Sequence, residues 1–212
     1  MSVDLDLLER WLAGWSLSRG LPLPARAGGG LVVEVGWPDQ LRRHVFVDAG
    51  RALQECAARI HAPFIHLKAA VDADAMRRAL PAHWQLDAAR YVMSCPSAME
   101  RRGALPPGYR AFVGKENGVG VVRIADADGQ AAASGYVVLN QGTAIFDRIE
   151  TLAPHRRKGL GSALMRELDA LAAEAGVVER LLVATAEGRA LYERLGWQVL
   201  APYSTAVFAG PP

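Results

Sequence analysis

Apolar positions along this chain recur with two periods, near 3.6 and near 2, and the two alternate. Leu8, Trp11, Leu12 and Trp15 fall at i, i+3, i+4 and i+7, which predicts a helix over Val3–Ser18 with one apolar stripe. Gly20–Gly30 holds two prolines and three consecutive glycines and reads as a loop. The short β-branched runs Leu31–Val35 and His44–Asp48 predict paired strands. Ala52–Ile60 has helical period. Phe64–Ala70 predicts a strand, Asp72–Leu80 a helix capped by Asp72, and Ala89–Ser94 another strand. Met99–Gly108 contains Arg-Arg-Gly and Pro-Pro-Gly and reads as a linker.

Beyond it, strands are predicted at Tyr109–Val113, Val119–Ala125, Ala132–Leu139 and Thr143–Thr151. A long helix follows from about Gly159 to Ala175, with Leu164, Leu168 and Leu171 as its stripe and Gly176 at its end. Arg180–Ala184 predicts a buried strand, Gly188–Leu195 a helix ended by Gly196, and Trp197–Leu200 and Thr205–Phe208 the last strands. The stretch from Leu67, LKAAVDADAMRRALPAHWQL, runs parallel to the stretch from Leu182, LVATAEGRALYERLGWQVL. Each reads as strand, acid-containing turn, short helix and a Trp-Gln pair. The parallel implies a reduced half-repeat at the N-terminus, or a coincidence between two common strand–helix–strand units.

Composition narrows the partners. The chain has 212 residues, 51% of them hydrophobic, and a net charge of +2. That is core enough for one large domain or two small ones, and too near neutral to imply nucleic acid. Cys56 and Cys95 form no metal or redox spacing and read as buried thiols of a reducing cytosol. No run of about 18 apolar residues predicts a membrane span, and Asp4, Asp6 and Glu9 stand where a secretory signal would carry cations. The expected location is cytoplasmic, with no metal.

The candidate chemistry lies at His155-Arg156-Arg157-Lys158-Gly159-Leu160-Gly161-Ser162. A strand ends in a basic, glycine-containing turn and feeds a helix, whose first N–H groups and dipole suit an anion. Three cations at a helix start oppose that dipole, which itself hints at an anionic ligand. The pattern is not a Walker loop, because no Lys-Ser or Lys-Thr follows the glycines. Nor is it a dinucleotide fingerprint, because Leu164 stands where a Gly or Ala is needed. What remains is R-x-x-G-x-G, filled by Arg156, Gly159 and Gly161.

This motif, followed at the right distance by LLVATAEGRALYERLGW, resembles the acetyl-CoA loop and the tyrosine-containing helix of the GNAT superfamily of acyltransferases. The resemblance covers Pro107–Phe208. It implies an α+β fold with a mixed, mostly antiparallel sheet flanked by helices. It also implies a degenerate GNAT-like region at 1–98, a linker at 99–108 and the acetyltransferase domain at 109–212. By that resemblance, Arg156, Arg157, Lys158, Gly159, Leu160, Gly161 and Ser162 hold the pyrophosphate of acetyl-CoA, and backbone groups of Ile149 and Thr151 pair with its pantetheine arm. Tyr192 is then the general acid for the departing thiolate, or else a core tyrosine. Thr185 stands where many members have Asn, and its hydroxyl is the candidate contact to the arm. Asp147 and Glu150 are candidate bases for the amine. Three residues apart, they face opposite sides of a regular strand unless a bulge intervenes. The implied reaction is direct transfer of an acetyl group from acetyl-CoA to a primary amine of a small molecule or peptide. A CoA-binding regulatory protein without turnover is the alternative.

Overall fold

The computed structural model describes residues 3–99 and 105–208. In chain order the elements are α1 (Leu5–Leu17), β1 (Ala25–Ala27), β2 (Gly30–Trp37), β3 (Gln40–Phe46), α2 (Arg51–Ala58), β4 (Ile65–Ala69), α3 (Ala73–Ala79), β5 (Trp84–Leu86) and β6 (Arg90–Cys95). There follow β7 (Arg110–Glu116), β8 (Val119–Ala125), β9 (Ala131–Asn140), β10 (Thr143–Thr151), a 3-10 turn at Ala153–His155, α4 (Leu160–Glu174), β11 (Glu179–Thr185), α5 (Ala186–Arg194) and β12 (Gln198–Phe208). The pattern of apolar positions located nearly all of them. Asp72 caps α3 as expected, accepting the Ala75 N–H at 2.7 Å, and Asp4 caps α1 by accepting from Leu7.

Three expectations are corrected. β1 lies inside the predicted loop Gly20–Gly30, and its three residues are all exposed, so no apolar alternation marked it. β5 is a three-residue strand that was not foreseen. The last two predicted strands are one, β12, which runs on through Pro202. Proline is tolerated in a strand where its missing N–H is not needed by a neighbour. Residues 100–104 of the expected linker lie outside the described residues. Met99 is buried, and its N–H donates to Asp169 Oδ2 at 2.7 Å.

Packing divides the chain into two units that interleave in sequence. Among the described residues, one comprises 3–93, 183–189 and 199–208, the other 94–99, 105–182 and 190–198. In the first, β1, β2 and β3 form an antiparallel meander, β3 pairs with β4 in parallel, and β4 pairs with β12 antiparallel. One face of that sheet packs Leu67, Ala69 and Ala206 against Leu53 and Ala57 of α2 and Met76 of α3. Trp11 of α1 meets Tyr203 edge-on, at 5.5 Å between ring centroids.

In the second unit β7, β8, β9 and β10 form an antiparallel meander, and β10 pairs with β11 in parallel. α4 lies on one face. Glycines 120 and 135 let it sit close: a Cβ on Gly135 would come within 2.9 Å of Leu168 Cδ1 and 2.6 Å of Ile149 Cδ1. Inside this unit Asp169 of α4 and Arg180 of β11 form a buried ion pair through Oδ1 and Nε. Arg180 also donates to the Val178 carbonyl at 3.0 Å. With Met99 N–H on its other oxygen, the Asp169 carboxylate is satisfied on both sides.

Candidate active site

The glycine-containing turn is built from backbone conformation more than from charge. After β10 the chain makes a 3-10 turn, and Arg157 then takes φ +64° and Gly159 φ +82°. Gly159 is the N-cap of α4, in a left-handed conformation that a side chain would strain. The first N–H groups of α4, from Leu160 onward, have no intrahelical acceptor and point out of the helix start. Leu160 itself is buried and anchors the turn to the core. Gly161 serves packing. A Cβ there would lie 2.9 Å from Leu191 Cδ2 of α5, so its hydrogen lets the two helices close up.

The cations of the turn are exposed, but two of them brace it. Arg156 Nε donates back to the Thr151 carbonyl at 3.1 Å, and Lys158 Nζ donates to Tyr109 Oη at 3.3 Å. Tyr109 Oη lies 3.0 Å from His155 Nδ1, and His155 Nε2 is 3.9 Å from Asp126 Oδ2. Asp126 is fixed in turn by accepting the N–H groups of Asp128 and Gln130 through Oδ1. No sequence motif singles out Tyr109 or Asp126 as partners of His155. Nothing in their spacing, 46 and 29 residues away, could have joined them.

Next to this turn lies a strand edge of unusual form. β10 pairs with β11 only over Thr143–Ile145 opposite Glu179–Leu181. Its remaining residues, through Ile149 to Thr151, run on along β9 alone. That leaves a strand edge of the kind an extended ligand can pair with. The two candidate carboxylates sit on the same stretch. The register of β10 on β9 slips between Asp147, opposite Tyr136, and Glu150, opposite Ser134. Three steps on β10 thus match two on β9, a bulge, with Arg148 at φ +52°. Directly opposed residues share a face. Tyr136 and Ser134 are two apart, so Asp147 and Glu150 point the same way. A regular strand would have set them on opposite faces; the bulge is the exception that brings them to one.

A family model described as an acetyltransferase (GNAT) domain matches residues 107–199. That stretch, a little under half of the chain, is similar to GNAT acetyltransferase domains. No curated protein matches it, so the remaining likenesses come from solved structures. A GCN5-related N-acetyltransferase from Kribbella flavida superposes with a TM-score of 0.68 at 16% identity, covering 100% of this chain and 97% of that one. A GCN5-related N-acetyltransferase from Sphaerobacter thermophilus gives 0.58 at 15% identity, over 86% of this chain and 78% of that one. A tandem GNAT protein from the clavulanic acid biosynthesis pathway gives 0.56 at 17% identity, over 88% and 82%. At such identities the likeness establishes the fold, which is the GNAT fold.

Tyr192 is buried, 5.1 to 6.1 Å separating the ring centroids of the Phe146–Trp197–Tyr192 cluster. Burial, with a smaller contribution from the Asp147 charge, pushes its phenol up to about 12. Thr185 caps α5, its hydroxyl accepting the Gly188 N–H at 3.1 Å. That use leaves the hydroxyl proton available to a second partner.

The N-terminal half repeats the GNAT order without its features. A hairpin (β2–β3), a helix (α2), a parallel strand (β4), a helix (α3) and a short strand (β5) follow each other as β9–β10, α4, β11, α5 and β12 do. Yet β3 and β4 stay paired over all five residues of β4, Arg42–Phe46 against Ile65–Ala69, so no edge opens. At the start of α2 the Gly50 N–H donates to Asp48 Oδ1 at 2.8 Å. A carboxylate of the chain itself thus stands beside the helix start, where it disfavours an anion.

Proposed function

We propose that this protein transfers an acetyl group from acetyl-CoA to a primary amine by direct attack within a ternary complex. The observation that carries the proposal is the conjunction at one end of β10: a left-handed glycine N-cap opening α4, beside a strand edge that has left its neighbour. Backbone N–H groups from Arg157 to Ser162 would take the pyrophosphate, and backbone groups of Ile149 and Thr151 the pantetheine amides. Acetyl-CoA supplies the activated acyl thioester.

The chain's residues would then do two things. Asp147 or Glu150, on one face of the bulge, takes a proton from the incoming ammonium so that a neutral nitrogen can attack. Tyr192 donates to the departing sulfur. With its phenol near 12 and a thiol near 8.5, outright proton transfer to the thiolate would be uphill. Its role is therefore that of a hydrogen-bond donor which stays protonated through the neutral range. The test is calorimetry with acetyl-CoA, followed by thiol release over a panel of amines. One acetyl-CoA per chain and amine-dependent release are expected. No heat at millimolar acetyl-CoA would reject the proposal. Binding without release on any amine would favour a CoA-binding regulatory protein.

A further inference from the structure

The face of the C-terminal sheet turned away from α4 carries an ordered row of side chains. Phe112, Arg123, Ser134 and Glu150 are successive partners across β7, β8, β9 and β10. The next row is Gly114, Val121, Tyr136 and Asp147. Gly135 stands between the rows on β9 and faces Leu164 and Leu168 of α4, so both rows lie on the opposite face. A cavity of about 370 Å³ opens there, and its lining includes Phe112, Arg123, Ser134, Glu150 and Leu152.

Its chemistry selects an occupant. Most of the wall is apolar. Phe112 is 58% exposed and Leu152 37% exposed, so a ligand's apolar body would gain by covering them. The lining holds two charges, Arg123 and Glu150. Arg123 is ion-paired with Glu116, outside the lining, which leaves Glu150 to attract a cation. The bulge adds Asp147 to the same face, one row along, at about 7 Å. A volume of this size is at the lower end of small-molecule sites.

We propose, resting on the acetyl-transfer reading above, that this cavity is the acceptor subsite. It takes a small primary amine with an apolar body, the ammonium toward Glu150 and Asp147 and the body against Phe112 and Leu152. The bulge then has a purpose: it brings both carboxylates to the face that binds the amine, while leaving the neighbouring backbone edge to the thioester.

The experiment compares 2-phenylethylamine, ethanolamine and a lysine-containing peptide as acceptors for the full chain. Acetyl-CoA affinity is measured separately by calorimetry. The KM for 2-phenylethylamine should be lower than that for ethanolamine by roughly tenfold or more. Phe112→Ala, a change at a largely exposed side chain, should raise that KM by roughly tenfold and leave acetyl-CoA affinity as it was. Ser134→Leu, which fills the floor of the cavity, should raise it as well, and a melting curve checks that this variant folds. If acetyl-CoA binds but neither variant moves the KM, the cavity is not the acceptor subsite and acetyl transfer stands. Preference for the peptide over 2-phenylethylamine would overturn the small-molecule occupant. Failure to bind acetyl-CoA at all would overturn both readings.

Discussion

Tyr192 illustrates how burial alters what a side chain can do. Its ring packs on Trp197, and the same burial that secures it raises the phenol far above the sulfur it is proposed to assist. Tyr192→Phe keeps the packing and removes the donor. We expect kcat to fall roughly 10²-fold in a chemistry-limited assay, with acetyl-CoA affinity and Tm unchanged. An unchanged kcat would leave Tyr192 as core alone. Two titratable residues of the N-terminal half govern stability instead. Burial, reinforced by Arg42, lowers His44 to about 4. Burial, reinforced by Arg43, lowers Lys68 well below its ordinary value, and its amine donates to Thr205 Oγ1 at 2.7 Å. In both cases the unfolded chain holds more protons than the folded one between the folded and unfolded values, so stability rises with pH through that window. For His44 the stability present above about 6.5 is lost as pH falls through 4. Denaturant titration from pH 4 to pH 7 should therefore show a slope that His44→Gln reduces. Lys68→Met should stabilise the protein at pH 7 by roughly 1–2 kcal/mol; a loss of stability there would show that the amine is worth more than its burial costs.

At the scale of elements, two contacts fix the frame around the turn. The buried pair Asp169–Arg180 ties α4 to β11, and Asp169 also holds the backbone at Met99. Asp169→Ala would strand a buried guanidinium and a buried N–H, at a cost of roughly 3–5 kcal/mol, read as a fall in the denaturant midpoint. The two glycines of the turn differ in what they do. Gly159→Ala forces a side chain into a left-handed N-cap and should cost about 1 kcal/mol, besides weakening acetyl-CoA binding. Gly161→Ala pushes against the flexible end of Leu191 and should lower Tm with a smaller effect on acetyl-CoA. If calorimetry ranked the two the other way for binding, Gly161 would be the anion's glycine after all. Charge was a poorer guide here than geometry, because Arg156 and Lys158 are engaged within the turn itself.

Across the whole molecule, the C-terminal stretch is divided between the two compact units. Residues 199–208 belong with the N-terminal residues, and β12 pairs with β4 and β5 there. A fragment beginning at residue 105 would thus carry β12 without those partners and with Ala206 and Phe208 uncovered. It should be poorly soluble, and co-expression with residues 1–99 should rescue it. A stable, monomeric fragment that binds acetyl-CoA alone would contradict this. The N-terminal half, with its paired β3–β4 and the Asp48 carboxylate beside the start of α2, should bind no acetyl-CoA, so the stoichiometry for the intact chain should be one.

Apolar periodicity along the sequence determined nearly every helix and strand, because burying one stripe or one face is a local demand that each segment answers by itself. The spacing of Arg156, Gly159 and Gly161 marked the turn between a strand and a helix, since a helix start needs only its own backbone. The tertiary structure alone decided the rest. A bulge is a property of two strands in register, so the shared face of Asp147 and Glu150 could not be read from their separation by three. β1 and β5 exist only because β2 and β12 offer edges to them. Tyr109, His155 and Asp126 meet through the fold and carry no local pattern. The open edge of β10 and the closed pairing of β3 with β4 come from similar strand–helix–strand sequences, and the difference between them lies in which backbone groups find a partner.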